Sequence, residues 1–262
     1  MITIIKAELL RLVRRRLVLI SIAGTFVFGI VAALAVFGSA QSSGVASRRG
    51  GTTLAALTGH GGATEAFAVG ASFTGFLVFV TFIAMIASEF SGGTFRSLVI
   101  RNPHRIQVIV GKLVGILVVA AGALAMAELW TVLASLVMAP TKSIATHDWL
   151  SVASLADAAR DYATVFGGVI GWAVFGTMLA IIFRSAPLAL GVGFAWAGPL
   201  ENIISRSWTT GYRVFPGQVL ASLIEGGSAE LGLSRAVLTA TIYAAIAATV
   251  ALVLVSRRDV TS

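Results

Sequence analysis

The sequence contains no cysteine, five prolines, three histidines and few charges: Asp, Glu, Lys and Arg make up 11% of its 262 residues. Without cysteine there is no disulfide, no thiolate metal site and no cysteine nucleophile. The histidines, His60, His104 and His147, lie far apart, so no ligand-like pair is present. A soluble domain carries about 25% charged residues. An inventory of 11% cannot cover a water-exposed surface of this size.

Catalytic signatures are missing as well. Gly111 and Lys112 form a Gly-Lys pair, but Leu113 follows and no glycine stands five positions before it. The loop that cradles nucleotide phosphates is therefore absent. No Ser/His/Asp arrangement, carboxylate pair or metalloprotease spacing is evident. Taken alone, the chain reads as a non-enzyme that needs no cofactor or metal of its own.

What is present is apolar. Hydrophobic residues make up 57% of the chain, and mean hydropathy is +0.95. A bilayer-crossing helix needs about 20 mainly apolar residues. Six stretches qualify: 17–37, 67–87, 109–137, 162–183, one from 187 that weakens at Gly198 and Pro199, and 236–255. The expected fold is an all-α polytopic membrane protein with six transmembrane helices. A cleaved signal peptide at Arg14, Arg15 and Arg16 is the alternative for the first stretch. That apolar run is longer than a 7–15-residue signal core, and five more follow.

The formal charge of +8 would suggest nucleic acid in a soluble protein. Here its distribution reads as topology. With the N-terminus inside, the inner segments hold twelve basic residues and three acids, and the outer segments hold seven of each. That asymmetry of +9 against neutral follows the positive-inside rule. The expectation is a multi-pass plasma-membrane protein with both termini cytoplasmic, lipid as its surroundings and no nucleic-acid partner.

Residues 1–16 read as an amphipathic interfacial helix, with Ile2, Ile5, Leu9 and Leu12 at helical spacing and Lys6, Arg11, Arg14 and Arg15 on other faces. A solvated basic tail is the plainer reading. Residues 17–255 form the transmembrane domain and 256–262 a cytoplasmic tail. The stretch 41–66, rich in Gly, Ser, Thr and Ala, reads as an exposed outer loop. Segments 140–161 and 205–234 also read as external.

The loop 88–107 is the most informative. Gly92 and Gly93 stop the helix descending from the second span. Thr94 is a candidate N-cap for a short helix. Phe95, Leu98 and Val99 share one face of it at i, i+3, i+4, with Arg96 and Arg101 elsewhere. Asn102 and Pro103 end that helix and begin the next. Two readings are open: a docking knob for a soluble partner, or a turn that only links two spans.

The run Glu89, Gly93, Thr94, Arg96, Pro103, Arg105, Gly111, Lys112 resembles a pattern of the ABC type-2 export permeases. The six-span topology, the N-terminal helix and the broken fifth span are similar too, so the resemblance covers the whole chain. His104, directly after the proline, departs from the small residue often found near there in that family. The resemblance implies a permease subunit of an ATP-driven exporter, paired with a second permease subunit, the same or related, around the translocation path. ATP would be bound by a separate ABC ATPase subunit that docks on a short cytoplasmic coupling helix. Glu89, Gly93, Thr94, Phe95, Arg96, Leu98, Val99, Arg101, Pro103 and Arg105 are the coupling residues so implied.

Glu128 stands alone in the third span. A carboxylate at mid-membrane costs about 2.5–3.5 kcal/mol on insertion scales, so it should face a cavity, a partner helix or a subunit interface. It is either a gate or path residue, or an acid that snorkels near the interface beside Trp130. The alternative function follows from it: an ATP-independent transporter or channel with Glu128 as its ion or proton site. The motifs Gly111-x3-Gly115 and Gly167-x3-Gly171 read as close helix packing.

Overall fold

The computed structural model describes residues 2–40, 53–93, 98, 100 and 104–257. Every regular element among these residues is helical. In chain order they are α1 (Ile2–Leu12), α2 (Arg15–Ser39), α3 (Glu65–Ser91), α4 (Arg105–Met138), α5 (Val152–Phe183), α6 (Ala186–Ala195), a π-helical turn (Trp196–Leu200), α7 (Glu201–Ser207), α8 (Pro216–Ile224) and α9 (Leu233–Arg257), with shorter turns between.

Five of these helices, α2, α3, α4, α5 and α9, are long and apolar enough to cross a membrane. The shortest have 25 residues, which at 1.5 Å per residue reach about 37 Å against a hydrocarbon core of about 30 Å. Their main core joins Phe79 and Ile83 of α3, Trp172 and Ala173 of α5, and Ile224 of α8.

The ends of the helices gather into two faces. At one, Val108 at the start of α4, Ile181 at the end of α5 and Val255 at the end of α9 share a cluster with Ile4 and Phe90. Both described termini therefore lie on the same face of the bundle. At the other, Phe37, Ala66, Ala139 and Trp149 pack together.

Local chemistry sets the helix limits. The α3 helix stops where the sequence places the stop: the Gly92 amide donates to the Ser88 carbonyl at 2.9 Å, and Gly93 adopts φ +69°. Glycine enters this left-handed region without the Cβ clash that other residues meet. The α5 helix begins ten residues before the expected 162. Ser151 caps it by accepting from the Ser154 amide at 3.1 Å. Asp157, Arg160 and Asp161 thus belong to a helix rather than to a loop.

One expectation changes. Residues 41–52 of the outer loop lie outside the described residues, but 53–66 are folded and partly buried rather than exposed. Thr53 caps a helical turn (Leu54–Thr58), Leu57 and Ala63 are buried, and the Trp149 indole donates to the Leu57 carbonyl at 3.0 Å. Small residues here bury themselves by close approach, which composition does not reveal. The stretch from 187 breaks where Gly198 and Pro199 place the break. The α6 and α7 helices have 10 and 7 residues and flank a π turn that holds Pro199. Proline has no N–H to donate, so the regular ladder is interrupted there. Because α5 ends on the face that holds the termini and α9 begins on the other, residues 184–232 carry the chain between the two faces.

Candidate functional site

The face that holds the termini carries the described ends of loop 88–107, with Glu89 near the end of α3 and Arg105 at the start of α4. The α1 helix packs across the start of α4. Its inward stripe is Ile4, Ile5, Glu8, Leu9 and Leu12, while Ile2 is exposed. The stripe is therefore rotated from the expected Ile2, Ile5, Leu9, Leu12, and a carboxylate sits within it. Close approach is possible because Gly115 faces α1: a Cβ there would lie 3.0 Å from the Glu8 Cβ.

A four-residue ion cluster ties this neck together. Lys112 Nζ donates to Glu89 Oε1 at 2.6 Å and to Glu8 Oε2 at 3.2 Å. Arg11 reaches Glu89 Oε1 at 3.0 Å and Glu8 Oε1 at 3.5 Å. The side chains of Lys112, Glu8 and Glu89 are only 6%, 7% and 9% exposed, whereas that of Arg11 is 54% exposed. Two positive and two negative groups balance, so three helices are joined without a net buried charge. Glu89, one of the coupling residues the resemblance implies, has its carboxylate paired inside the chain with Lys112 and Arg11.

Of the other coupling residues, Thr94, Phe95, Arg96, Val99, Arg101 and Pro103 lie outside the described residues. Gly93 ends α3 and Arg105 opens α4. Leu98 is half-buried, packed against the cluster of Val108, Ile109, Ile181, Ala251 and Val255. It roots the loop in the bundle instead of lying open on an outward face. Ile100, two residues on, is 76% exposed.

Glu128 sits on α4 toward the opposite face. Its Oε1 is buried and has no hydrogen-bond partner. It lies near Asp161 and Tyr162 on α5. Those two groups are themselves held: Asp161 accepts from the Thr64 hydroxyl at 2.6 Å, and the Tyr162 hydroxyl donates to the Ala121 carbonyl at 2.9 Å. Glu128 thus faces α5 and is not simply turned out to the exterior. Among the described residues, no cluster of three or more His, Asp or Glu is suited to holding a metal ion.

Glu8, Arg11 and Lys112 were not among the predicted site residues, although each left a trace. Lys112 is a cation inside the third apolar stretch, and Glu8 is an acid on the inward stripe of an amphipathic helix. Either irregularity implies a buried partner. Nothing in sequence spacing says that the two share one.

The chain belongs to the family described as Protein of unknown function (DUF2705), which matches residues 25–261. No curated protein matches the chain.

Proposed function

We propose that this family member is the transmembrane permease subunit of an ATP-driven exporter, coupled to a separate ATPase through the loop between α3 and α4. The observation that carries the reading is the rooting of that loop. Leu98 packs among the ends of α4, α5 and α9, and the Glu89 pairs fasten its first helix to α1 and α4. A push on the loop would reach four helices and α1 together, as conversion of ATPase closure into movement of the spans requires. Ile100, exposed beside this root, offers an apolar side chain to a docking partner.

In this reading the face with the termini is cytoplasmic, in line with the basic residues crowding it. Five helices of membrane length would place the start of α2 and the end of α9 on opposite sides of the bilayer. Their location on one face supports a sixth passage, supplied by α6, the π turn and α7. Irregular backbone at that depth is tolerated where protein covers it. Two such subunits would enclose the path, and ATP would be bound by the partner alone.

Copurification tests the reading. A P-loop ATPase should accompany the full-length chain from native membranes, and Ile100→Asp should release it without unfolding the chain. A second reading rests on Glu128, whose Oε1 is buried and unpartnered. Transport driven by an ion gradient without any ATPase, and abolished by Glu128→Gln, would favour that alternative.

A further inference from the structure

A cavity of about 240 Å³ lies where α3, α5, α6, the π turn and the start of α8 converge. Its lining is aromatic and apolar, with Phe79, Trp172, Phe175 and Trp196 around it. Phe79 and Trp172 are 4.9 Å apart between ring centroids, forming one continuous wall. The Trp172 indole N–H faces Gly75 of α3, while the far edge of the ring lies against Gly217. The cavity therefore meets the carbon framework of this ring rather than its donor.

One ionisable group, Glu201, lines this space. The residue is 1% exposed. Its Oε2 accepts from the Gln218 amide at 3.2 Å. Gly217 is needed beside it, because a Cβ at that position would collide with Oε2. Oε1 is buried with no hydrogen-bond partner; the Trp196 side chain lies close without completing a bond to it. No described Lys, Arg or His forms an ion pair with Glu201. The cluster at the neck shows the contrast, since there each buried carboxylate has a cation in contact. A buried carboxylate with one satisfied oxygen is stable only if it is protonated or matched by a positive charge.

We propose that this cavity binds a small lipophilic cation, an amine or quaternary ammonium with an apolar body. The positive group would meet Glu201 Oε1, and the body would lie among the rings of Phe79, Trp172 and Trp196. Aromatic faces attract cations electrostatically, and the effect grows when water is excluded. A mostly apolar pocket with one placed polar group is the usual form of a small-molecule site. Val192 and Trp196 line the cavity and are 43% and 42% exposed, so the ligand would enter past these two side chains. The site lies within a single chain and does not depend on an ATPase docking at the neck.

The test uses the purified full chain in detergent, with benzyltrimethylammonium as probe and neopentylbenzene, its uncharged carbon counterpart, as control. Equilibrium dialysis should give saturable binding at one site per chain, at least tenfold tighter for the cation, and the cation should raise the thermal unfolding midpoint. Glu201→Gln should weaken the cation at least tenfold and leave the neutral compound unchanged. Val192→Trp, at the rim, should fill the space and abolish binding of both. Equal affinity for cation and neutral analogue, non-saturable uptake, or cation affinity unchanged in either variant overturns the proposal. If neither variant folds, the comparison of the two probes on the wild-type chain decides it.

Discussion

Lys112 of α4 and Glu89 of α3 form a buried ion pair with 2.6 Å between Nζ and Oε1. The pair joins the end of α3 to the first turns of α4, and Glu8 brings α1 to the same lysine. The neck is therefore a junction of three segments distant in sequence, held by one cation at its centre.

That geometry sets an order of damage. Lys112→Met would leave two buried carboxylates with only the half-exposed Arg11, and loss of one partner from a buried pair costs about 3–5 kcal/mol. Glu89→Gln leaves Lys112 still paired with Glu8 and should cost less. Arg11→Ala removes a largely solvated contact, worth at most about 1 kcal/mol. Thermal unfolding of the purified variants should rank Lys112→Met lowest, then Glu89→Gln, then Arg11→Ala. An unchanged midpoint for Lys112→Met would refute the junction.

The α1 helix can approach α4 only across Gly115. Gly115→Val should push Glu8 away from Lys112, loosen α1 and destabilise the chain by about 1–3 kcal/mol, the usual cost of overpacking. Limited proteolysis should then cut near residues 12–16 faster than in the wild-type chain. Equal cleavage rates would mean that α1 is not held there.

Leu98 and Ile100 should separate root from surface. Leu98→Ala removes a half-buried contact with the ends of α4, α5 and α9 and should lower the unfolding midpoint. Ile100→Asp alters an exposed side chain, so the midpoint should stay near wild type while partner binding falls tenfold or more. The reverse pattern would invert the assignment of the two residues.

Much of this fold was legible in the sequence. Apolar length identified the five long helices because a span of about 20 residues leaves little ambiguity. Gly92 and Gly93 marked the end of α3 because positive φ is cheap only for glycine. The break near Pro199 was equally visible. The site was less so. Pairing of Glu8, Glu89 and Lys112 depends on three segments meeting in space, and no local pattern encodes that. Leu98 shares helical spacing with Phe95 and Val99, which marks a face but not what the face packs against. The buried turn at 53–66 was hidden because its apolar contacts come from Gly, Ala and only two leucines, Leu54 and Leu57, which composition reads as loop.

Orientation is checked by labelling intact cells with an impermeant thiol reagent, which is clean in a chain without native cysteine. Cysteines introduced as Thr141→Cys and Ala229→Cys, both at exposed positions, should react from outside, and His104→Cys should not. Labelling of His104→Cys alone would reverse the orientation, and labelling at Thr141→Cys but not Ala229→Cys would remove the sixth passage.

The central claim is that the loop between α3 and α4 receives force from a separate ATPase. The most direct measurement is purification of the full chain from its native membrane in mild detergent, with ATPase activity and subunit ratio determined for wild type and Ile100→Asp. One P-loop ATPase per chain, active in ATP hydrolysis, should accompany the wild type and be lost from the folded Ile100→Asp variant. A wild-type chain that transports without any ATPase, or an ATPase that binds the Ile100→Asp variant with undiminished affinity, would contradict it.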